Sequence, residues 1–146
     1  MERNSSTWDG QPIAEEPPYG ATVVVYRAAQ TGMQFLLLHR AHRGPDYEGE
    51  WAWTPPAGAR RPGEPVEACA ERELHEESGL TSPITVVDVG EDWAVFCAEV
   101  ESDAAVVLHD DEHDRFEWVP LDVVASRCRP KRVADAVKVV AATIGT

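Results

Sequence analysis

Residues 58–80 read GARRPGEPVEACAERELHEESGL, and this stretch carries the strongest structural and chemical signal in the chain. Its second half places Glu73, Glu76 and Glu77 at positions i, i+3 and i+4. On a helix, these spacings bring side chains to one face, one turn apart. Like charges so placed repel by roughly 0.2–0.5 kcal/mol per pair. Because proteins hold Mg²⁺ with a few carboxylates together with substrate phosphates, the cluster predicts a metal-dependent enzyme acting on phosphates.

Local signals divide the same stretch into a loop, a helix and a second loop. Pro65 suits the first position of a helix, where its missing N–H costs nothing. Leu74 and the apolar residues one and two turns before it form a buried stripe. Gly79 fits a left-handed cap at the C-terminus of the helix. We therefore predict a helix over residues 65–78, with Leu74 facing the core.

The stretch resembles the signature of the Nudix hydrolases, and we call residues 58–80 the box. That signature is Gly, five residues, Glu, seven residues, then Arg-Glu-aliphatic-any-Glu-Glu-any-Gly-aliphatic. Every specified position is filled, by Gly58, Glu64, Arg72, Glu73, Leu74, Glu76, Glu77, Gly79 and Leu80. Seven of these positions require one identity, so a chance match at one start point is on the order of 10⁻⁸. Many relatives read Pro-Gly-Gly at the entrance, whereas this chain reads Pro56-Ala57-Gly58.

The resemblance implies hydrolysis of a nucleoside diphosphate linked to another group, with Mg²⁺ or Mn²⁺ as cofactor. It implies that Glu76 and Glu77 are primary metal ligands and that the backbone carbonyl of Gly58 is a further ligand. Glu73 is then either a ligand or the general base. Arg72 is expected to orient ligand carboxylates through its bidentate fork.

A second acidic cluster lies at Asp110–Asp114. Many Nudix enzymes supply another ligand or base from a loop downstream of the box, and Glu112 is the candidate here. The alternative is a solvated acidic loop. His113 is a candidate general acid or base because imidazole titrates near neutral pH, although a loop histidine often has no such role. Glu64 stays open between a metal-site residue and a first-turn acid favoured by the helix dipole.

Arginine and aromatic residues outside the acidic clusters are candidates for binding the substrate. Arg40, at the end of a predicted strand, is the preferred contact for a phosphate. Its rivals are Arg43, Arg60 and Arg61. Three aromatic residues before the box are candidates for stacking on a base, with core packing as the alternative: Tyr47, Trp51 and Trp53.

Composition bounds the class of protein. A length of 146 residues predicts one domain, and we place a polar tail at residues 1–18 and a single Nudix domain at residues 19–146. A net charge of −13 argues against nucleic acid or an anionic membrane as a partner. No apolar run is long enough to span a bilayer, and the first residues lack a secretory pattern. Three cysteines without metal-site spacing indicate reduced thiols, as in a cytoplasmic protein.

Apolar patterns outside the box predict the remaining elements. Strands are predicted over residues 21–27, 34–40, 51–54, 84–89, 93–101, 106–109 and 115–119. Helices are predicted to begin near residue 120 and to run over residues 132–144. This order favours an α/β fold with a mixed sheet between helices. The resemblance implies the same fold, a Nudix-type α/β/α sandwich with the loop–helix–loop motif at the sheet edge.

The resemblance does not by itself define the substrate. The compact size and short loops favour a nucleoside triphosphate or a dinucleoside polyphosphate. The alternatives are a pyrophosphatase of ADP-ribose or other nucleotide sugars, and a catalytically silent nucleotide-binding module. An isomerase of isoprenoid diphosphates would need a nucleophilic cysteine in the pocket, for which Cys69 and Cys97 are open. Relatives commonly form homodimers, and the apolar residues near Trp93–Val100 are the candidate surface.

Overall fold

The computed structural model describes residues 10–109 and 111–145, so Asp110 of the second acidic cluster and residues 1–9 of the predicted tail lie outside the described residues. Seven strands and three helices occur in these two ranges. Their order is β1 (Gly20–Ala29), β2 (Gly32–Arg40), β3 (Trp53–Thr54), β4 (Ala57–Ala59), α1 (Val66–Ser78), β5 (Thr85–Val89), β6 (Trp93–Glu99), β7 (His113–Val119), α2 (Leu121–Arg127) and α3 (Lys131–Thr143).

All seven strands form one sheet, with β1 at its centre. The strand order is β3-β2-β1-β6-β5, with β4 paired to β1 and β7 paired to β2. The β1–β6 pair is parallel, and the other pairs are antiparallel. The predicted mixed sheet is therefore confirmed. Because β4 contains the first residues of the box, the start of β1 lies directly against it, with Ala21 opposite Gly58.

Side chains of the sheet alternate between two helical layers. Val23 and Val25 face α1 and pack in a core that includes Leu74. Val24 faces the opposite layer and packs in a core that includes Val137 of α3. This alternation buries both faces of the sheet and confirms the α/β/α sandwich. Among residues 10–109 and 111–145, no helix combines the length and the hydropathy of a transmembrane span.

The box helix agrees with its prediction to within one residue. It begins at Val66, directly after Pro65, and ends at Ser78. Gly79 has φ of 75°, and its N–H donates to the carbonyl of His75 at 2.8 Å. This left-handed conformation is one that glycine adopts without steric cost.

Two short elements differ from the sequence prediction. The strand β4 was not predicted, because three residues carry too little pattern to be recognised. The predicted strand at residues 106–109 is wrong, since those residues belong to no strand. Instead, the N–H of Val107 donates to the carbonyl of Ser78 at 2.9 Å. Val106 and Leu108 pack on the core under α1, so their alternation reflects helix packing and not sheet pairing.

The candidate dimer surface is also corrected. Strand β6 lies between β1 and β5, and its residues Ala94 to Ala98 are at most 9% exposed. The apolar run near Trp93–Val100 is therefore explained by the interior of one chain, and it offers little surface to a second copy.

Replacing Leu74 by Ala should lower the free energy of unfolding by about 2–5 kcal/mol, the usual cost of truncating a core leucine. Leu74 is 1% exposed and anchors the box helix to the sheet. The matched control is Val139→Ala on α3, where the side chain is 43% exposed and a change within about 0.5 kcal/mol is expected. Urea unfolding measures both variants, and equal effects would contradict the assignment of the core.

Candidate active site

A cleft of about 1160 Å³ opens between the sheet and α3, along the edge where β4 meets β1. Residues from the box and from the downstream acidic loop line it together: Gly58, Glu73, Glu76 and Glu112. Arg40 and Arg72 line the same cleft. The fold therefore brings the two predicted acidic clusters and the preferred phosphate contact to one place.

The three acids of the box helix are not equivalent. Glu73 and Glu77 are 7% and 2% exposed, and they lie against β4. The side chain of Glu76 is 45% exposed and lies at the rim of the cleft. Two carboxylates are therefore buried side by side, and the third remains accessible to solvent.

The backbone of β4 contacts both buried acids. A Cβ atom placed on Gly58 would lie 2.1 Å from Cδ of Glu73, so no side chain fits at this position. The N–H of Ala57 donates to Oε1 of Glu77 at 2.9 Å. Since this contact uses only the backbone, alanine serves at position 57 as well as the glycine of many relatives.

Burial and mutual repulsion disfavour ionisation of the two acids. Burial raises the pKa of Glu73 to about 7, although the neighbouring Arg72 charge opposes the rise. The pKa of Glu77 is raised well above its ordinary value by burial, and the charges of Glu112 and Glu73 raise it further. A pair of this kind either shares protons or is neutralised by a cation.

Arg72 links four groups of the box. Its Nε and Nη2 donate to the two carboxylate oxygens of Glu64, each at 2.9 Å. Its Nη1 donates to Glu73 at 2.7 Å and to Glu76 at 3.3 Å. Nη2 also donates to the carbonyl of Ala59 at 3.0 Å. The predicted bidentate fork therefore grips Glu64, while a single nitrogen reaches the two acids of the cleft.

This arrangement gives Glu64 a place that the sequence did not suggest. Its hydrogen bonds from Arg72 lower its pKa, so it is a fixed negative partner of the guanidinium. It also accepts a hydrogen bond from the N–H of Arg61 at 3.0 Å. Glu64 thereby holds Arg72 in the position from which Arg72 contacts Glu73.

Glu112 and His113 complete the acidic end of the cleft. Glu77, Glu112 and His113 each offer a ligand atom, and these atoms all lie within 4.8 Å of one another. The loop is held in place by the N–H of Ala41, which donates to the carbonyl of Glu112 at 2.9 Å. A group of this kind, drawn from two elements, could hold a divalent cation.

His113, the candidate general acid or base, is buried, and its low pKa argues against the general acid only. It begins β7, pairs with Arg40 of β2 and is 5% exposed. Burial, together with the charge of Arg40, lowers its pKa to about 4. A neutral imidazole suits a metal ligand, whereas a general acid at neutral pH would need the proton. The sequence prediction began β7 at residue 115 and so missed the inward turn of His113.

The four candidate arginines occupy different places. Arg40 lines the cleft, and its buried Nε has no hydrogen-bond partner among the described residues. Arg61 lines the cleft and pairs with Glu76 at 3.8 Å. Arg43 lies over the ring of Tyr47 at 5.2 Å, outside the cleft lining. Arg60 is 7% exposed, and its guanidinium donates to backbone carbonyls, so it does not contact a substrate phosphate.

The three aromatic residues predicted to stack on a base also lie in different places. Trp53 is 2% exposed in the core under α2 and α3, so its ring is not available to a substrate. Tyr47 packs against the same core. Trp51 lines the cleft with φ of 66°, a strained conformation for a bulky residue. The guanidinium of Arg132 lies 4.8 Å from its ring.

The chain is similar to known proteins in sequence and in fold. Residues 16–142 match the sequence profile of the NUDIX domain. The chain belongs to the Nudix family. An isopentenyl-diphosphate Delta-isomerase of Aliivibrio fischeri (strain MJ11) is 30% identical to it over 114 residues, which make up 78% of this chain and 60% of that relative.

Solved structures of Nudix proteins share the fold. The binary complex of an Ap4A hydrolase from C. elegans matches with a TM-score of 0.68 and 22% identity, covering 86% of this chain and 96% of that one. The NUDIX domain of Shewanella oneidensis NrtR, complexed with ADP ribose, matches with a TM-score of 0.65 and 16% identity, covering 86% of each chain. At these identities the likeness shows the Nudix fold and not the substrate.

The cysteines of this Nudix protein are buried, and the Sγ of Cys69 donates to the carbonyl of Gly58 at 3.7 Å. Cys69, Cys97 and Cys128 are 0%, 7% and 2% exposed, and none of them lines the cleft in the described part of the chain. Burial raises the pKa of the Cys69 thiol to about 12. A nucleophilic cysteine needs an accessible thiolate, so neither Cys69 nor Cys97 fits the role that an isoprenoid diphosphate isomerase would demand.

Replacing Gly58 by Ala should weaken the binding of Mg²⁺ or Mn²⁺ at least about tenfold, the scale on which displaced ligands and their supports act. The new methyl group would occupy the position of the Glu73 carboxylate. The matched control is Ala57→Gly, which keeps the N–H that donates to Glu77. Isothermal titration with each metal measures the affinity, and equal affinity in Gly58→Ala and wild type would contradict the close approach.

The raised pKa of Glu73 predicts a pH-dependent stability without divalent cations. The folded chain holds this proton up to about pH 7, against an ordinary value of 4.5. The free energy of unfolding that this proton contributes is therefore complete below the unfolded pKa of 4.5, and it is lost as the pH rises through 7. The lowered pKa of His113 has the opposite effect, because it makes the protein more stable as the pH rises. The effect of Glu73 is therefore isolated by comparing Glu73→Gln with wild type.

In EDTA, the Tm of Glu73→Gln relative to wild type should be higher at about pH 8 than at about pH 5, because glutamine imitates the protonated acid. Excess Mg²⁺ should reverse the difference at the higher pH by binding the wild-type site. Scanning calorimetry measures both effects. A Tm difference that is the same at both pH values would show that Glu73 titrates normally.

Proposed function

We propose that the protein is a metal-dependent pyrophosphohydrolase. Its substrate is a nucleoside diphosphate linked to another group, in the form of a nucleoside triphosphate or a dinucleoside polyphosphate. The observation that carries the proposal is the buried pair Glu73 and Glu77, which meets Glu112 at one end of a cleft that also contains Arg40.

The donor set fits a hard divalent cation. Two buried carboxylates with raised pKa values are joined by Glu112, and the Gly58 backbone approaches them too closely for any side chain. Glu73, Glu76, Glu77, Glu112 and the carbonyl of Gly58 would hold Mg²⁺ or Mn²⁺, and His113 is a further candidate ligand. When bound, such an ion lowers the pKa of water and neutralises phosphate charge.

The residues of the chain have separate roles in this proposal. Arg72 holds the Glu73 carboxylate toward the cleft, and the N–H of Ala57 holds that of Glu77. If Glu73 is the general base and not a ligand, its carboxyl, with a pKa raised to about 7 by burial, can accept a proton at neutral pH. Arg40 brings a positive charge with an unsatisfied Nε to the same cleft. It therefore binds a phosphate oxygen and stabilises the charge of the departing group.

The alternatives are each tied to an observation. ADP ribose is bound by the NUDIX domain of the S. oneidensis protein, so nucleotide sugars belong in the substrate test. The isomerase match raises isoprenoid diphosphates, but the buried cysteines disfavour that chemistry. A silent binding module is disfavoured because every acid of the box is present.

The cellular setting is part of the proposal. All three cysteines are free, and free thiols are typical of a reducing compartment. We therefore place the reaction in the cytoplasm. The acids and the Arg40 guanidinium that line the cleft favour a small nucleotide as the ligand. We keep a homodimer as a prediction without an assigned surface.

A panel of substrates tests the reaction. Nucleoside triphosphates, dinucleoside polyphosphates, ADP-ribose and isopentenyl diphosphate are incubated with Mg²⁺ or Mn²⁺, and phosphate, pyrophosphate, mononucleotide and isomer are measured. Release of pyrophosphate with monophosphate indicates attack near the nucleoside, and release of phosphate indicates cleavage of the outer bond. Turnover of ADP-ribose alone would reassign the substrate, and isomer formation would overturn the proposal.

Glu77→Gln should lower kcat at least about 10²-fold, because it removes a proposed ligand of the cation that would stabilise the charge of the transition state. The matched control is Glu71→Gln, an exposed acid of the same helix that does not line the cleft, and it should leave kcat unchanged. Steady-state kinetics measures both variants, with circular dichroism to confirm folding. Near wild-type turnover in Glu77→Gln would remove Glu77 from the proposed ligand set.

Glu112→Gln should lower kcat much more than it raises KM, because its carboxylate lies beside Glu77 and supports the reacting end of the cleft. Asp111→Asn, at the preceding position, is the comparison: Asp111 lines the same cleft, but the cluster with Glu77 consists of Glu112 and His113, so a smaller effect is expected. If Asp111→Asn or Asp110→Asn carries the loss instead, the assignment within this loop is displaced by one or two positions.

A further inference from the structure

Arg60 attaches the N-terminal segment, which we define as residues 10–19, to the box. Its Nε donates to the carbonyl of Pro18 at 2.7 Å, and its Nη2 donates to the carbonyl of Glu16 at 2.7 Å. Its Nη1 donates to the carbonyl of Glu64 at 2.8 Å. A buried guanidinium is costly unless it is hydrogen-bonded, and here each of its nitrogens bonds to a backbone carbonyl.

Backbone hydrogen bonds fix the same segment on both sides. The N–H of Ala14 donates to the carbonyl of Arg60, and the N–H of Arg60 donates to the carbonyl of Tyr19, each at 2.8 Å. The N–H of Tyr19 donates to the carbonyl of Asp92 at 2.6 Å. Ala14 is 1% exposed. The segment is therefore built into the domain between the box and the turn before β6.

The segment forms part of the cleft wall. Gln11, Pro12, Ile13 and Tyr19 line the same cleft as Gly58 and Glu73. Part of the stretch predicted to be a polar tail thus faces the proposed reaction site.

Trp93 lies in the cleft beside the metal-binding end. A Cβ atom on Gly20 would be 2.3 Å from Cη2 of Trp93 and 2.5 Å from the carbonyl oxygen of Gly58, so these two groups are close neighbours. The Trp93 Nε1 donates to Oγ1 of Thr22 at 2.8 Å, which fixes the indole. The residue is 38% exposed. A fixed and accessible aromatic ring therefore borders the carbonyl of Gly58.

The chemistry of this part of the wall suits an uncharged ring. Ile13 is apolar, Tyr19 and Trp93 are aromatic, and Gln11 offers both a donor and an acceptor. Asp92, whose carbonyl accepts the N–H of Tyr19, is the acid in this part of the wall, while Arg61, which follows Arg60, pairs with Glu76 at 3.8 Å. An acid beside aromatic rings disfavours a further phosphate and favours a heterocycle with donor groups.

We propose that Trp93 and the N-terminal segment form the binding site for the nucleobase of the substrate, and that Arg60 is the positioning residue that holds the segment there. The base stacks on Trp93, Gln11 bonds to its edge and Ile13 covers it. Trp51 is the rival ring, but the guanidinium of Arg132 already lies over it. This inference rests on the proposed hydrolysis of nucleotides.

Steady-state kinetics on the nucleotide that the panel identifies is the first test. Trp93→Leu should raise KM at least about fivefold, the lower end of what one base–aromatic stack contributes, with kcat within about twofold. Gln11→Ala should raise KM in the same way. Because Gln11 is exposed, this variant should fold and can test the proposal even if Trp93→Leu does not fold. The control is Phe116→Leu on β7, where the ring is 37% exposed outside the cleft lining.

Arg60 is tested by rescue. Arg60→Met should raise KM as Gln11→Ala does, because it removes the side-chain hydrogen bonds to the carbonyls of Glu16 and Pro18 and leaves only backbone hydrogen bonds to hold the segment. Arg60→Lys retains a charged nitrogen that donates hydrogen bonds, so it should have a smaller effect on KM. A loss of kcat without a change of KM in Arg60→Met, or an effect of Trp51→Leu on KM in place of Trp93→Leu, would overturn the proposal.

Binding without turnover separates this inference from the proposed reaction. Indole ¹H–¹⁵N signals of the protein with Mg²⁺ are followed on adding AMP, ribose 5-phosphate or inorganic phosphate, with Trp93→Phe assigning the signal. The Trp93 signal should shift with AMP and not with the other two. Equal shifts with all three ligands, or a shift confined to Trp51, would overturn the nucleobase site. A shift with AMP in a protein that hydrolyses no nucleotide would sustain the site and reject the hydrolase.

Discussion

The close approach of the β4 backbone to two buried acids is the constraint on which the site depends. Gly58 leaves room for the Glu73 carboxylate, and the N–H of Ala57 bonds to Glu77. Both contacts require that β4 pair with β1 and that α1 pack on the face of the sheet that carries Val23 and Val25. The core under α1 therefore sets the position of the acids. Because burial disfavours their charge, the acids either share protons or are neutralised by a cation.

Charge is arranged along the cleft in a way that suits a diphosphate. The acids gather at the end where the box meets the loop of Glu112, and Arg72 balances one of them from the side. Arg40 enters the same cleft from β2 with an unsatisfied nitrogen. A cation held by the acids and a guanidinium on the facing strand would share the negative charge of one substrate. The aromatic part of the wall then remains for the group attached to the phosphates.

The sequence predicted the parts of this account that rest on local pattern. The box helix, its left-handed end at Gly79 and the mixed sheet follow from spacing and periodicity, which act over a few residues. Contacts between distant segments were not predictable in this way. Arg60 and Trp53 are residue types that can bind a phosphate and a base. In the fold, however, Arg60 bonds to the N-terminal segment and Trp53 packs in the core. His113 and Trp93 became visible only when strand pairing placed them beside Arg40 and Gly20.

Anomalous diffraction from crystals soaked in Mn²⁺ is the most direct test of the central claim. The account predicts a peak beside Glu73 and Glu77, within ligand distance of Glu112 and of the Gly58 carbonyl. The same soak of Glu77→Gln crystals should weaken that peak and leave any other bound ions unchanged. If the wild-type crystals showed no peak beside Glu73 and Glu77, and manganese bound only at other acidic surfaces, the claim that the buried acids form a cation site would be contradicted.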